Sequence, residues 1–200
     1  MKPNEIFGSL DGQTPLTDDE RLELRPSFST RRELNEAERL NINTARIWAM
    51  RGAVLGRSDL LTDVFGRELH RRMFNQVWKW AGRYRKTERN LGWEPHRIPE
   101  GVRVAFDDTA FRLNHETYPL HECAIRLHHQ LAVIHPWVNG NGRHARLMAD
   151  LLVASGKGKP LTWGAEANLA ASGTARSCYI DAIRKADGGD FGHLLKFARS

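Results

Sequence analysis

The stretch "HPWVNGNGRHAR", residues 135–146, lies between two segments of helical periodicity, 121–134 and 144–154. Pro136 cannot continue the preceding helix, and the residue before a proline is pushed towards extended geometry. We therefore expect His135 at the end of a helix, with extended backbone and with its imidazole directed into the following loop. The pattern predicts a helix–loop–helix unit with a histidine at the first junction.

The loop within this stretch is suited to the close approach of an anion. Gly140 and Gly142 permit backbone conformations that other residues avoid. With Asn139 and Asn141 beside them, several N–H groups can turn towards one point, and the next helix adds its free N–H groups and its dipole. This combination favours a phosphate group.

The charged side chains of the stretch predict phosphate chemistry. Arg143 and Arg146 stand one helical turn apart on one face, close enough to hold two neighbouring phosphates. A neutral His135 beside a polyphosphate is suited to act as general base towards a hydroxyl nucleophile, and Asn139 can offer an oxygen to Mg²⁺. The plainer alternative is a glycine-rich turn with a surface histidine and solvated arginines.

Composition places the chain among soluble globular proteins. Its 200 residues are 40% hydrophobic and 27% charged, which suits one domain with its own core. Cys123 and Cys178 lie far apart without zinc-ligand spacing, a usage typical of a reducing cytosol. No signal peptide and no apolar run of membrane-spanning length are evident, so we expect a cytoplasmic protein with no membrane contact.

The net charge of +6 is unevenly distributed. Residues 1–40 carry nine acidic and six basic residues, whereas residues 46–89 carry eleven basic and four acidic ones. The basic middle could meet nucleic acid, a nucleotide or the acidic N-terminal segment, or could consist of solvated helix faces. Because no helix-turn-helix or zinc signature is evident, direct nucleic-acid recognition is disfavoured.

Periodicity elsewhere predicts a mainly α-helical chain with one small β excursion. Further helices fit 30–52, 59–82, 104–114, 165–186 and 191–198. Glycines and prolines break the helical pattern after Gly82, which predicts a short strand or hairpin followed by a loop. Residues 1–27 are polar and predict an extended or loosely packed arm.

These features together resemble the Fic/DOC family. Its motif is written HPFx(D/E)GNGRxxR, and residues 135–146 depart from it at two positions, with Trp137 for phenylalanine and Asn139 for the acidic residue. "VWKWAGRYRKTERNLG" (77–92) and "YIDAIRKADGGDFGHLLKF" (179–197) are similar to other segments of the family. The resemblance covers roughly residues 45–198, and "STRRELNEAERLNI" further resembles the subgroup called mobile mystery protein B.

The resemblance implies a Fic-type helical bundle with a small β-hairpin flap. Residues 45–200 would form the Fic domain, and residues 1–44 an N-terminal arm with a candidate inhibitory helix. The implied activity is that of a protein adenylyltransferase, which transfers AMP from ATP, with Mg²⁺, to a Ser, Thr or Tyr hydroxyl of a target protein. The flap, here about residues 91–99, would clamp the target backbone as an added strand, with Ile98 as the candidate clamp.

The same resemblance assigns roles to single residues. His135 would deprotonate the target hydroxyl, and Asn139 would bind Mg²⁺. The nucleotide would be bound by the loop and the two arginines: Gly140, Asn141, Gly142, Arg143 and Arg146. Because a neutral amide binds Mg²⁺ more weakly than a carboxylate, two alternatives stay open: a catalytically weak nucleotide-binding regulatory module, and transfer of a different phosphate-containing group.

Regulation is a further expectation from the family. Many members are held inactive by a helix with the pattern [S/T]xxxE[G/N], whose glutamate occupies the second motif arginine. Ser29 and Glu33 supply this spacing, which would pair Glu33 with Arg146, and Glu36 is a second candidate. The alternative is that Ser29 or Thr30 caps the helix. The resemblance also suggests a toxin of a two-component module, with a DNA-binding partner protein encoded nearby.

Overall fold

The structure, a computed structural model, describes residues 22–25, 28–164, 169 and 173–200, and this part is mainly α-helical. Eight α-helices lie within it: α1 (Arg31–Ala49), α2 (Gly52–Leu55), α3 (Asp63–Phe74), α4 (Ile98–Asn114), α5 (Leu120–Ile134), α6 (Asn141–Ser155), α7 (Thr174–Asp187) and α8 (Gly192–Ala198). A 3₁₀ turn, Pro95–Arg97, leads into α4. The predicted helical class is confirmed. None of the helices described is both long and apolar enough to cross a membrane.

Helix α6 forms the centre of the core. Its side chains are buried on nearly every side, as expected for a helix surrounded by others; Ala145, Met148 and Leu151 have no exposed surface. Helix α5 packs along α6, α1 packs on α3, α4 on α5, and α7 on α8. Because residues 135–140 connect α5 to α6, the motif loop lies at the shared end of the two central helices.

Helix α1 begins with a reciprocal cap. The Thr30 hydroxyl accepts a hydrogen bond from the Glu33 N–H at 3.2 Å, while the Glu33 carboxylate accepts from the N–H groups of Ser29 and Thr30. A cap of this kind stabilises a helix by about 1 kcal/mol. The helix then continues unbroken across residues 44 and 45, so the predicted boundary between arm and Fic domain falls inside α1.

The predicted β-hairpin flap is not confirmed, because no strand occurs among the residues described between 83 and 97. The Arg85 N–H donates to the Pro136 carbonyl at 3.0 Å, and the Trp93 N–H to the Ile134 carbonyl at 3.1 Å. These backbone groups are therefore satisfied by the motif loop and not by a partner strand. Within the described chain, β pairing is limited to an isolated antiparallel bridge between Leu24 and Trp78.

Ile98 takes a different place from the one predicted. It is the first residue of α4 and has no exposed surface, so in this conformation its side chain cannot clamp a docked strand. Two other predicted features, the arm over residues 1–27 and the start of the helix over 165–186, lie largely outside the described residues.

Candidate active site

His135 follows the last residue of α5 and adopts the left-handed conformation, with φ +54° and ψ +58°. The extended geometry predicted from Pro136 is therefore wrong, because the left-handed ending of the helix overrides the bias imposed by the proline. For a residue other than glycine this conformation costs roughly 1–3 kcal/mol. Two hydrogen bonds offset that cost: the His135 N–H donates to Leu131 at 3.1 Å, and Arg85 Nε donates to the His135 carbonyl at 2.7 Å.

The environment of His135 keeps its imidazole uncharged. Burial, together with the nearby charges of Arg85 and Arg89, lowers the pKa of His135 to about 4, although a hydrogen bond to the Ala132 backbone acts in the opposite direction. At neutral pH the ring therefore carries a single proton, and its other nitrogen can accept a proton from a hydroxyl group.

The loop after His135 is held in shape by Gly140 and Asn141. Gly140 has φ +84°, and an added Cβ would lie 2.3 Å from Cζ of Phe74, so no other residue fits without displacing that ring. The Asn141 side chain accepts from the Trp137 N–H and donates to the Trp137 carbonyl, both at 2.8 Å. Asn141 can thus offer a phosphate its N–H group, but its amide is already engaged.

The N-terminus of α6 faces this loop without a side-chain cap. The first N–H groups of a helix have no partner within it, and they carry the positive end of the helix dipole. Arg143 and Arg146 lie on this first part of α6 and are both partly exposed. His135 thus lies at one end of the glycine loop, and α6 with the two arginines begins at the other end. An uncapped helix N-terminus of this kind favours an anion.

The contacts of the acidic residues on α1 differ from the predicted ones. The Glu33 carboxylate lies in the capping box and not on Arg146, and Glu36 pairs with Arg39 at 2.6 Å. Arg146 instead lies over the Tyr179 ring, 5.3 Å from its centroid, and forms no ion pair with any carboxylate of the described residues. The structure thus does not bring Ser29 and Glu33 to the predicted inhibitory position.

Among the described residues, Glu38 is the carboxylate that hydrogen-bonds to the motif. It is 5% exposed and accepts hydrogen bonds from Arg143 at 2.6 Å, Trp78 Nε1 at 2.7 Å and Asn139 Nδ2 at 3.2 Å. Glu38 was not among the residues predicted for the site, although the sequence carries a signal for it. Glu38 stands at helical spacing from Leu34 on the buried face of α1, where an acidic residue needs partners.

His70 on α3 holds the motif loop through contacts with Asn139 and Trp137. The Gly82 N–H donates to His70 Nδ1 at 2.9 Å, so the proton of a neutral ring is on Nε2, which donates to the Asn139 carbonyl at 3.1 Å. The ring stacks on Trp137 at 4.1 Å. Burial lowers the pKa of His70 well below its usual value, which keeps the ring neutral.

Asn139, the predicted metal ligand, is engaged within the protein. Its Oδ1 accepts from the Gly140 N–H at 2.7 Å and lies 3.4 Å from Arg143, while its Nδ2 faces Glu38. Mg²⁺ prefers carboxylates together with phosphate oxygens and water, and the described residues contain no cluster of three His, Cys, Asp or Glu that could hold a metal. The side chains around Asn139 therefore do not fit Mg²⁺.

Comparison with known proteins gives the family of the segment that carries the motif. Residues 61–153, which include α3, α5 and the whole motif loop, match the Fic/DOC family. These residues form a Fic/DOC family domain. Protein adenylyltransferase fic-1 of Caenorhabditis elegans is 36% identical over 91 residues, a share of 43% of this chain and 18% of the relative. The chain thus spans less than a fifth of the length of that curated relative.

Solved structures show the same fold. The N-terminal Fic domain of a putative cell filamentation protein from Bartonella quintana has a TM-score of 0.69 at 14% identity, covering 99% of this chain and 92% of that one. BepC from Bartonella tribocorum, crystallised with bound AMPPNP, has a TM-score of 0.67 at 15% identity, covering 88% and 89%. The Fic-type helical fold is confirmed, whereas assignment to the mobile mystery protein B subgroup is not supported.

In this Fic domain the Asn139 amide donates a hydrogen bond to the Glu38 carboxylate, and this contact can be tested by mutation. In Asn139→Asp, a carboxylate would face the Glu38 carboxylate where an N–H···O bond now lies. We expect this change to lower the free energy of unfolding by about 1–3 kcal/mol. Adding Glu38→Gln should recover part of the loss, because an amide–carboxylate pair forms again with reversed polarity. Urea unfolding of the four proteins measures the coupling.

Glu36→Gln is the matched control for this cycle. Glu36 lies on the same helix, but its carboxylate is exposed and pairs with Arg39. It should show no coupling with Asn139→Asp. Strictly additive effects of Asn139→Asp and Glu38→Gln would mean that the two side chains do not interact in solution.

Proposed function

We propose that this Fic domain is a protein adenylyltransferase that transfers AMP from ATP to a Ser, Thr or Tyr hydroxyl of a protein. The observation that carries the proposal is the placement of the neutral His135 at one end of residues 135–140, the proposed anion-binding loop, with α6 and its two arginines following the other end. The activity named for the Caenorhabditis elegans relative and the AMPPNP bound by BepC support it.

The chemistry follows from what each group can offer. The target hydroxyl gives its proton to the His135 imidazole, while its oxygen attacks the α-phosphorus of ATP. The bond from the α-phosphorus to the bridging oxygen breaks, pyrophosphate leaves, and AMP remains as an ester on the hydroxyl oxygen. The phosphate charge is stabilised by the first backbone N–H groups of α6 and by the Arg146 guanidinium. Arg143, anchored through one nitrogen to Glu38, keeps further N–H groups for a phosphate oxygen.

A nucleotide-binding regulatory module is the second candidate function. Two observations favour it: Glu38 occupies Arg143, and Asn139 lacks the carboxylate expected at its position. In this case Glu38 would compete with a phosphate for the guanidinium, and nucleotide would bind without transfer. A toxin role, a DNA-binding partner protein and docking of a target at the flap find no support in the described residues or in the matches.

Labelled ATP separates these functions. The purified protein is incubated, alone and with a cell lysate, with ATP labelled at the α-phosphate or at the γ-phosphate, each with Mg²⁺ and with a chelator. Label on protein from the α-phosphate alone supports AMP transfer, and label from the γ-phosphate indicates transfer of a different phosphate-containing group. Calorimetric binding of ATP with no label on any protein would instead support the regulatory module.

A further inference from the structure

Arg85 is a buried arginine whose partners are all backbone groups. It is 2% exposed, and among the described residues it forms no ion pair with a carboxylate. Its Nε donates to the His135 carbonyl at 2.7 Å, one terminal nitrogen to the Thr87 carbonyl at 2.9 Å, and the other to the Trp93 carbonyl. Burying a guanidinium is unfavourable unless its N–H groups are satisfied, so these carbonyls must stay in place around it.

The contacts of Arg85 converge on the junction that holds His135. Its own N–H donates to the Pro136 carbonyl at 3.0 Å, so Arg85 binds two successive carbonyls, those of His135 and Pro136. The peptide planes on the C-terminal side of His135 are thereby fixed. The direction of the imidazole depends on this backbone, because His135 is in the strained left-handed region.

Gly92 packs closely against both His135 and Arg85. It has φ +96°, and an added Cβ would lie 2.5 Å from Cβ of His135 and 2.7 Å from a terminal nitrogen of Arg85. The segment from Arg85 to Trp93 thus packs directly on His135. The three residues Arg85, Gly92 and His135 form one unit, although the sequence separates the histidine from the other two.

We propose that Arg85 is a positioning residue for His135, which holds the histidine backbone in its left-handed conformation and so fixes the direction of the imidazole. The importance of that direction for AMP transfer rests on the proposed function. The contact itself does not, and it can be tested without any turnover.

The pKa of His135 provides a second test of the contact between Arg85 and His135. The groups that act on the His135 imidazole are Arg85 and Arg89 from the segment after α3 and the Ala132 backbone from α5. Burial is the largest cause of the low pKa of His135, and both arginines lower it further. Because a nearby cation disfavours the imidazolium, removing the Arg85 charge should raise the pKa of His135.

The test uses Arg85→Gln, Arg85→Lys and Gly92→Ala in the full chain. Thermal unfolding first shows which variants are folded, and NMR of ¹³C-labelled histidine then follows the His135 ring during a pH titration. We expect the pKa of His135 to rise in Arg85→Gln and less in Arg85→Lys, which keeps the charge. Gly92→Ala, which leaves the charge unchanged, should displace the His135 resonances.

Transfer kinetics give the corresponding functional readout. In the self-labelling assay, kcat should fall by about 10²-fold in Arg85→Gln and Arg85→Lys, as expected for a misplaced catalytic group, with KM for ATP unchanged. Arg67→Gln is the matched control, since Arg67 binds a backbone carbonyl, that of Gly82, away from His135. It should alter neither the ring titration nor kcat.

Two results would overturn the inference. One is a folded Arg85→Gln in which the His135 resonances, pKa and kcat are those of the parent. If Arg85→Gln does not fold, the same result for Arg85→Lys and Gly92→Ala overturns it. A parent protein that transfers no label would refute the proposed function alone, because the NMR titration still reports whether Arg85 holds His135.

Discussion

Replacing His135 with alanine is expected to abolish AMP transfer while ATP binding stays nearly unchanged. Loss of a general base typically lowers a rate by about 10²- to 10⁴-fold. Binding should persist because the phosphates are held by the α6 N-terminus and the motif arginines, not by the imidazole. The Arg85 bond to position 135 uses the backbone carbonyl, so the variant keeps it. Label from α-labelled ATP measures transfer, and calorimetry measures binding.

His129→Ala is the matched control for this prediction. His129 lies on α5, the helix that ends just before His135, and it contacts Asp187 at 2.7 Å. Its loss should leave both transfer and ATP binding close to those of the parent. Should His135→Ala transfer label as fast as the parent, the general-base role would have to be given to another group, and the proposed mechanism would fail.

The sequence predicted the parts of the site that depend on neighbouring residues. Gly140, Pro136 and the following helical spacing require a helix end, a tight loop and a new helix, whatever surrounds them. The structure has each of these, with α5 ending at Ile134 and α6 beginning at Asn141. These local requirements, together with the periodicity of the longer helices, were enough for the fold class.

The supporting residues could not be predicted in the same way. Glu38, His70 and Arg85 reach the motif from segments far away in the sequence, and only Glu38, through its helical spacing from Leu34, carries a local sign of burial. Their roles follow only from burial, because a buried polar group must find partners. The predicted flap strand is not found among the described residues for a related reason: backbone groups of this segment, such as the Trp93 N–H, are satisfied by the motif loop.

The buried histidines should also make the protein unstable in acid. Burial lowers the pKa of His144 to about 4 from a usual value of 6.5, and it lowers the pKa values of His70 and His128 well below that usual value. Each ring is hydrogen-bonded as a neutral group, for example His144 Nε2 to the Gly66 carbonyl at 2.9 Å. Protonation in the folded state would place a charge in the core.

The direction of the pH effect follows from proton binding. Between about pH 6.5 and pH 4 the unfolded chain binds a proton at position 144 that the folded protein does not, so the free energy of unfolding falls as the pH falls. Below about pH 4 the folded protein is protonated there too, and His144 causes no further loss. Between these two pH values, His144 alone lowers the free energy of unfolding by about 3 kcal/mol.

Because the total stability of a domain is typically about 5–15 kcal/mol, the loss at His144 is a large part of it. His70 and His128 lower the free energy of unfolding in the same direction as the pH falls. Urea unfolding at a series of pH values between 8 and 4 measures the loss. His144→Gln, whose amide can still donate to Gly66, should make the curve flatter over this range, whereas His96→Gln, at an exposed position, should leave it unchanged. A free energy of unfolding that stays constant down to pH 4 would show that the buried rings are already protonated or reach water in solution.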